Sequence, residues 1–276
     1  NTTADQNTAI GCFALHTNTT GSDNTAVGHQ ALKSTTTGSN NTAVGRAALN
    51  DNTTGSRNTA IGDRALPNNT TASDNIGIGW YSLYTNTTGA NNVAVGREAL
   101  EKNNADNNLA IGFQSLEENT TGANNVAVGM QALTANTTAS DNTAVGSYAL
   151  TANTTGANNT SVGKESLEAN TTGAQGVAVG RKALESNTTG DNNTAVGHYA
   201  LGANTTGGSN LAIGRESLGA NTTASNNTAV GHFALAANTT GTGLAAFGQG
   251  ALQASTGNDN TALGANTLQA NTTGAN

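Results

Sequence analysis

Several residue types in this chain could do chemistry, and almost all of them recur at a fixed spacing. His29, His198 and His232 each follow a glycine directly. A zinc site needs its ligands to converge within about 2 Å of one ion. Arg215 stands in the equivalent slot between His198 and His232, so solvated surface histidines are expected; His16 stands alone in another slot. Paired carboxylates about 5–10 Å apart can hydrolyse glycosidic bonds. Glu98, Glu165 and Glu216 each sit beside a base, Arg97, Lys164 and Arg215, which points to surface charge balance, and Glu117–Glu118 adds no cleft. Asp23, Asp74 and Asp141 occur in S-D-N. The G-G-x-G-x-D pattern of calcium-binding β-rolls is absent, so these aspartates read as turn formers. The aromatics Trp80, Tyr81, Tyr84, Phe113, Tyr148, Tyr199 and Phe233 fit sugar- or surface-binding platforms or packing between subunits.

The most suggestive motif is N-T-T, an N-x-T glycan acceptor. It begins at Asn1, Asn18, Asn52, Asn69, Asn86, Asn119, Asn136, Asn153, Asn170, Asn187, Asn204, Asn221, Asn238 and Asn271. These asparagines are candidate glycosylation sites in surface turns. The competing reading is that Asn and Thr satisfy turn backbone, because a duplicated repeat copies any triplet. No residues stand out as catalytic, metal-binding or cofactor-binding, so no enzyme and no cofactor is expected.

What positions these residues is a repeat. The unit typified by Asn142–Asn158, N-T-A-V-G-S-Y-A-L-T-A-N-T-T-G-A-N, recurs about sixteen times across the 276 residues, with one-residue deletions at Asn103–Asp106 and Ser255–Asn258. Such a period is the mark of a solenoid. The T-A-V segment alternates in size with a period of two and predicts a short strand closed by glycine. N-T-T-G, where the deletions fall, predicts an exposed turn. The x-x-A-L-x-x segment predicts a second strand in preference to a one-turn helix, although R-E-A-L-E-K at Arg97–Lys102 contains good helix formers. The expected fold is all-β: a parallel β-solenoid (β-roll) of about sixteen 17-residue coils, one continuous array over residues 1–276. At the usual strand separation this makes a rod of roughly 75 Å. The expected core comprises the bulky columns, Leu32, Leu49, Leu100, Leu150, Leu184 and Leu235 with Val27, Val44, Val145 and Val196. The asparagine column of Asn7, Asn24, Asn41 and Asn58 predicts an amide ladder.

Composition narrows the function classes. A net charge of −7 leaves no basic footprint for nucleic acid, and no run approaches the length of a membrane span. Cys12 is the only cysteine, which excludes an intrachain disulfide framework. The chain opens in mid-repeat and closes on N-T-T-G-A-N, so a segment of a longer array is expected.

The N-T-A-V-G-x-x-A-L unit resembles the N-S-V-A-I-G-x-x-A repeats of trimeric autotransporter adhesin heads, with a longer period. The full N-T-A-x-G-x-x-A-L-x-x-N-T-T-G unit is similar to repeat arrays in phage-type tail fibres and large bacterial surface proteins. The resemblance implies a parallel β-roll, a homotrimer or end-to-end filament, an extracellular, cell-surface or virion-surface position, and surface glycans or a host receptor as partners. The expected role is a structural fibre, adhesin head or shaft, or tail fibre. The alternative is an ice- or carbohydrate-surface-binding solenoid. Thr154 and Thr155, as neighbours on a strand, would point to opposite faces and leave only one threonine file for such a surface.

Overall fold

In the computed structural model the chain is all-β, and no helix occurs among the described residues, 3–272 and Gly274. It divides into two compact units, Asn1–Ser140 and Asp141–Asn276. The first contains β1 (Thr8–Ile10), β2 (Thr25–Val27), β3 (Thr42–Val44), β4 (Thr59–Ile61), β5 (Ile76–Ile78), β6 (Val93–Val95), β7 (Leu109–Ile111) and β8 (Val126–Val128). The second contains β9 (Thr143–Val145), β10 (Thr160–Val162), β11 (Val177–Val179), β12 (Thr194–Val196), β13 (Leu211–Ile213), β14 (Thr228–Val230), β15 (Ala245–Phe247) and β16 (Thr261–Leu263). Within each unit consecutive strands pair in parallel and in register, as with Thr42↔Thr59, Ala43↔Ala60 and Val44↔Ile61. Each unit is therefore a parallel β-solenoid with one strand per coil.

The interior is built from small residues and one leucine per coil. In the β3 coil Ala43, Ala48 and Leu49 are fully buried, and Asn41 and Asn52 are buried with them. The asparagines form two amide ladders. Asn41 donates its Nδ2 to Asn24 Oδ1 in the preceding coil and to Gly55 O in the following one, at 3.1 and 2.9 Å. Asn69 donates to Asn52 Oδ1 and to Ala72 O, both at 2.9 Å. The second bond reaches three residues along the same chain and closes the N-T-T-x bend. Buried amides paired in this way carry none of the desolvation penalty of orphaned ones.

The x-x-A-L-x-x segment is neither the second strand nor the one-turn helix. All sixteen leucines of the column, from Leu15 to Leu268, adopt positive φ, as with Leu49 at 51° and Leu150 at 55°. Two residues upstream a second non-glycine residue does the same in most coils, as with Ala47 at 54° and Tyr148 at 59°. The segment is a compact turn: Ala48 N donates to Gly45 O at 3.4 Å, and Leu49 N donates to Ala65 O of the next coil at 3.0 Å. A left-handed leucine costs roughly 1–2 kcal/mol. Burying its side chain returns roughly 1.5–3 kcal/mol, so the turn persists because it aims the leucine into the stack. The glycine ending the strand has no such latitude, since a Cβ on Gly45 (φ +134°) would lie 2.3 Å from Gly62 O.

Both shortened coils keep register, β6 pairing Val93↔Leu109 and β15 pairing Ala245↔Thr261. In full coils two successive threonine N–H groups donate to one threonine carbonyl, as Thr53 and Thr54 do to Thr70 O. Where the β7 coil's neighbour is short, Asn104 supplies a side-chain carbonyl instead, and Thr87 N and Thr88 N both reach its Oδ1 at 3.0 Å.

Candidate functional site

The outward side of the strands is the most continuous feature in either unit. Alternation with a period of two sends the middle residue inward and its neighbours outward. The middle residue is alanine in almost every coil, fully buried at Ala26, Ala43 and Ala60. The neighbours are Thr, Val, Ile or Leu in every coil but that of β15, which has Ala245 and Phe247, and they form two outward files. Ile61, Ile111, Val145, Val179, Ile213 and Phe247 are about 40% exposed. Neither file contains a charged residue. This overturns the expectation that Val27, Val44, Val145 and Val196 belong to the core: Val27 and Val44 are half-buried and Val145 and Val196 exposed. The coil is so thin that the strand lies close to the leucine turn, and only small side chains fit between them: alanine in most coils, Ser161 in β10 and Gly77 in β5.

Columns of mostly polar residues flank the stripe, the one after the strand glycine also carrying exposed Trp80, Phe113 and Met130. On one side Arg57 holds Asp74 in the next coil at 2.6 Å, and on the other Arg46 holds Asp63 at 2.9 Å. The Arg57 hydrogen bond keeps the Asp74 carboxyl below its usual pKa range. An uncharged apolar strip with a charged border is the composition of an interface core and rim.

The N-T-T asparagines lie elsewhere than expected. Asn18, Asn52, Asn69, Asn86, Asn119, Asn136, Asn153, Asn170, Asn187, Asn204, Asn221 and Asn238 are all buried, at 2% exposure or less. Their Nδ2 atoms serve the inner ladder, as in Asn170 to Asn153 Oδ1 and Gly173 O. A glycan on that nitrogen would need the coil to open, so these are structural asparagines rather than glycan acceptors. Asn271 is half-buried, and Asn1 lies outside the described residues. The two threonines that follow both face outward, instead of pointing to opposite faces. The first donates its hydroxyl to the next coil's backbone, as Thr171 does to Thr188 O at 3.0 Å. The second is exposed at Thr54, Thr155, Thr172, Thr189 and Thr206, and these five hydroxyls make no hydrogen bond within the chain.

The titratable groups are distributed along the turn columns. His29 and His16 pack edge-on to Phe13, and His232 stacks on Phe233 at 4.0 Å. Arg97–Glu98, Lys164–Glu165 and Arg215–Glu216 form ion pairs at 2.9–3.0 Å. Two carboxylate triads escape a reading by neighbours in sequence: Glu98 with Glu101 and Glu117, and Glu165 with Glu168 and Glu185. They are visible only when acids in the same column of adjacent coils are compared. Burial and the neighbouring carboxylates raise the Glu101, Glu117 and Glu168 pKa values. The second triad carries its own cation, Lys182, 2.6 Å from Glu185. In the first, Glu98 takes Arg97 and the neutral amide of Gln114, each at 3.0 Å.

No protein-family model matches this chain, and no curated protein sequence does either.

Proposed function

We propose that this chain is a structural repeat module that self-associates through its strand face, three copies packing their apolar stripes about a common axis. It would serve as part of an extracellular fibre, adhesin head or tail fibre on a cell or virion surface. The observation that carries the reading is the uncharged double file of half-exposed Val, Ile, Leu and Thr, bordered by charge. Each such side chain retains part of its roughly 1.5–3 kcal/mol of burial free energy, and the contribution recurs in every coil. Three copies rather than two accords with the resemblance to trimeric adhesin heads. Sedimentation equilibrium of the purified chain tests the idea. A trimer is expected for the parent and a monomer for the double variant Val145→Lys, Val179→Lys; a parent that stays monomeric at about 100 μM, within the range where weak assemblies form, overturns it.

A second reading has one specific observation in its favour. The paired outward threonines make two adjacent files at the ~4.8 Å coil spacing, suited to organising a regular water layer. Thermal hysteresis of the purified chain, absent after Thr155→Lys and Thr172→Lys, would favour that reading over the structural one.

A further inference from the structure

The second unit contains an open groove of about 510 Å³ lined by Tyr199, Glu216, Gly219, Phe233, Ala236 and Gln253, with small alanines completing its floor. It arises from two columns of the repeat. Two residues after the strand glycine stand Tyr199, Glu216 and Phe233 in successive coils; three residues further on stand Gly202, Gly219 and Ala236. In the first unit that second column holds Tyr84, Glu101 and Glu117, so the groove exists because its floor residues are small. Tyr199 depends on this: a Cβ on Gly202 would lie 2.7 Å from its ring. Phe233 is fixed by stacking on His232.

We propose that this groove binds an uncharged, extended oligosaccharide laid along the stacking direction. The two rings stand two coils apart, about 9.5 Å at the usual strand spacing, a distance that spans two pyranose rings joined end to end. Aromatic faces suit the apolar C–H faces of such rings. Between and beside them are hydrogen-bonding groups with unused capacity. Glu216 takes Arg215 on its Oε1 and leaves Oε2 as an acceptor. Gln253 accepts from Gln269 at 2.7 Å through Oε1 and leaves its Nε2 as a donor. The Glu216 charge is already balanced by Arg215, so no charged ligand is called for. An alkyl chain would bury these polar groups without partners, which disfavours it. The groove is formed from turn columns and owes nothing to the strand stripe, so the proposal stands apart from self-association.

The test is titration calorimetry of the full chain with cellohexaose, using maltohexaose, whose α-linkages coil the chain, as the comparison. Cellohexaose should bind, and Tyr199→Ala and Phe233→Ala should each weaken it at least tenfold. Gly219→Trp should abolish binding, while Tyr148→Ala, in the same column where no groove forms, should leave it unchanged. No binding at millimolar cellohexaose, equal binding of maltohexaose, or indifference to both ring deletions overturns the proposal. Should Gly219→Trp fail to fold, the aromatic proton resonances of Tyr199 and Phe233 in the unaltered chain read the same contact, and their failure to shift on titration with cellohexaose overturns it too.

Discussion

A leucine at φ near +50° is an unusual residue for its backbone, and its replacement separates side-chain burial from backbone strain. Leu150 is fully buried, so Leu150→Asp places a carboxylate in a packed stack and should cost several kcal/mol. Tyr148, two residues away and equally left-handed, faces outward. Aspartate tolerates that backbone, so Tyr148→Asp should cost under about 1 kcal/mol. Denaturant titration of the two variants gives the comparison, and similar losses would contradict the burial described. The acid triad yields a second expectation. Glu101 has a raised pKa because of burial and then Glu98. A carboxyl raised in the folded state holds its proton there more tightly than in the unfolded chain, so stability falls as pH rises through and above the usual range near 4. Glu101→Gln should therefore raise the melting temperature at pH 7 and leave it nearly unchanged at about pH 3.5, below the unfolded carboxylate range, as read by calorimetry.

At the scale of the elements, the ladder and the turn depend on each other. Asn69 both closes its own bend and holds the preceding coil, and Asn86 donates to it in turn at 3.3 Å. Asn69→Ala leaves at least one buried polar group unpaired, at about 1–3 kcal/mol, whereas Thr71→Ala, on the outer file, should be nearly neutral. Thermal melts of the two would show it. Strand, glycine and N-T-T-G bend were legible in the sequence because each uses residues suited to its local geometry. The direction of the strand's faces was not. Alternation fixes that neighbours differ, and says nothing about which one is inside until the width of the coil is known. The leucine turn was hidden for another reason: nothing about leucine signals positive φ, and a burial that exists only between coils selects it. The same lack of a third dimension turned buried ladder asparagines into apparent glycan acceptors. Mass spectrometry of native material should find no glycan on Asn52 through Asn238, consistent with their buried nitrogens.

At the scale of the whole molecule, each coil contacts its neighbours through equivalent residues, so stability within a unit is a sum of nearly identical terms. Deleting residues 177–193, one complete coil of the second unit, would bring Thr194 against Thr160 in the place of Val177. The shortened chain should fold and keep its far-ultraviolet dichroism, with a smaller loss of stability than Leu150→Asp. A deletion that unfolds the unit would show that coils are not interchangeable.

That interchangeability has a consequence for how the chain finds its place. Where every coil offers its neighbours the same backbone and the same Ala, Leu and Asn, a growing stack cannot distinguish the next coil from the one after it. A slip by a whole repeat leaves nearly all pairings intact. The short coils differ. Asn104 answers two threonine N–H groups with its side chain, where a full coil answers them with a threonine carbonyl. Such positions act as addresses in an otherwise uniform text, letting a periodic sequence fold to one alignment.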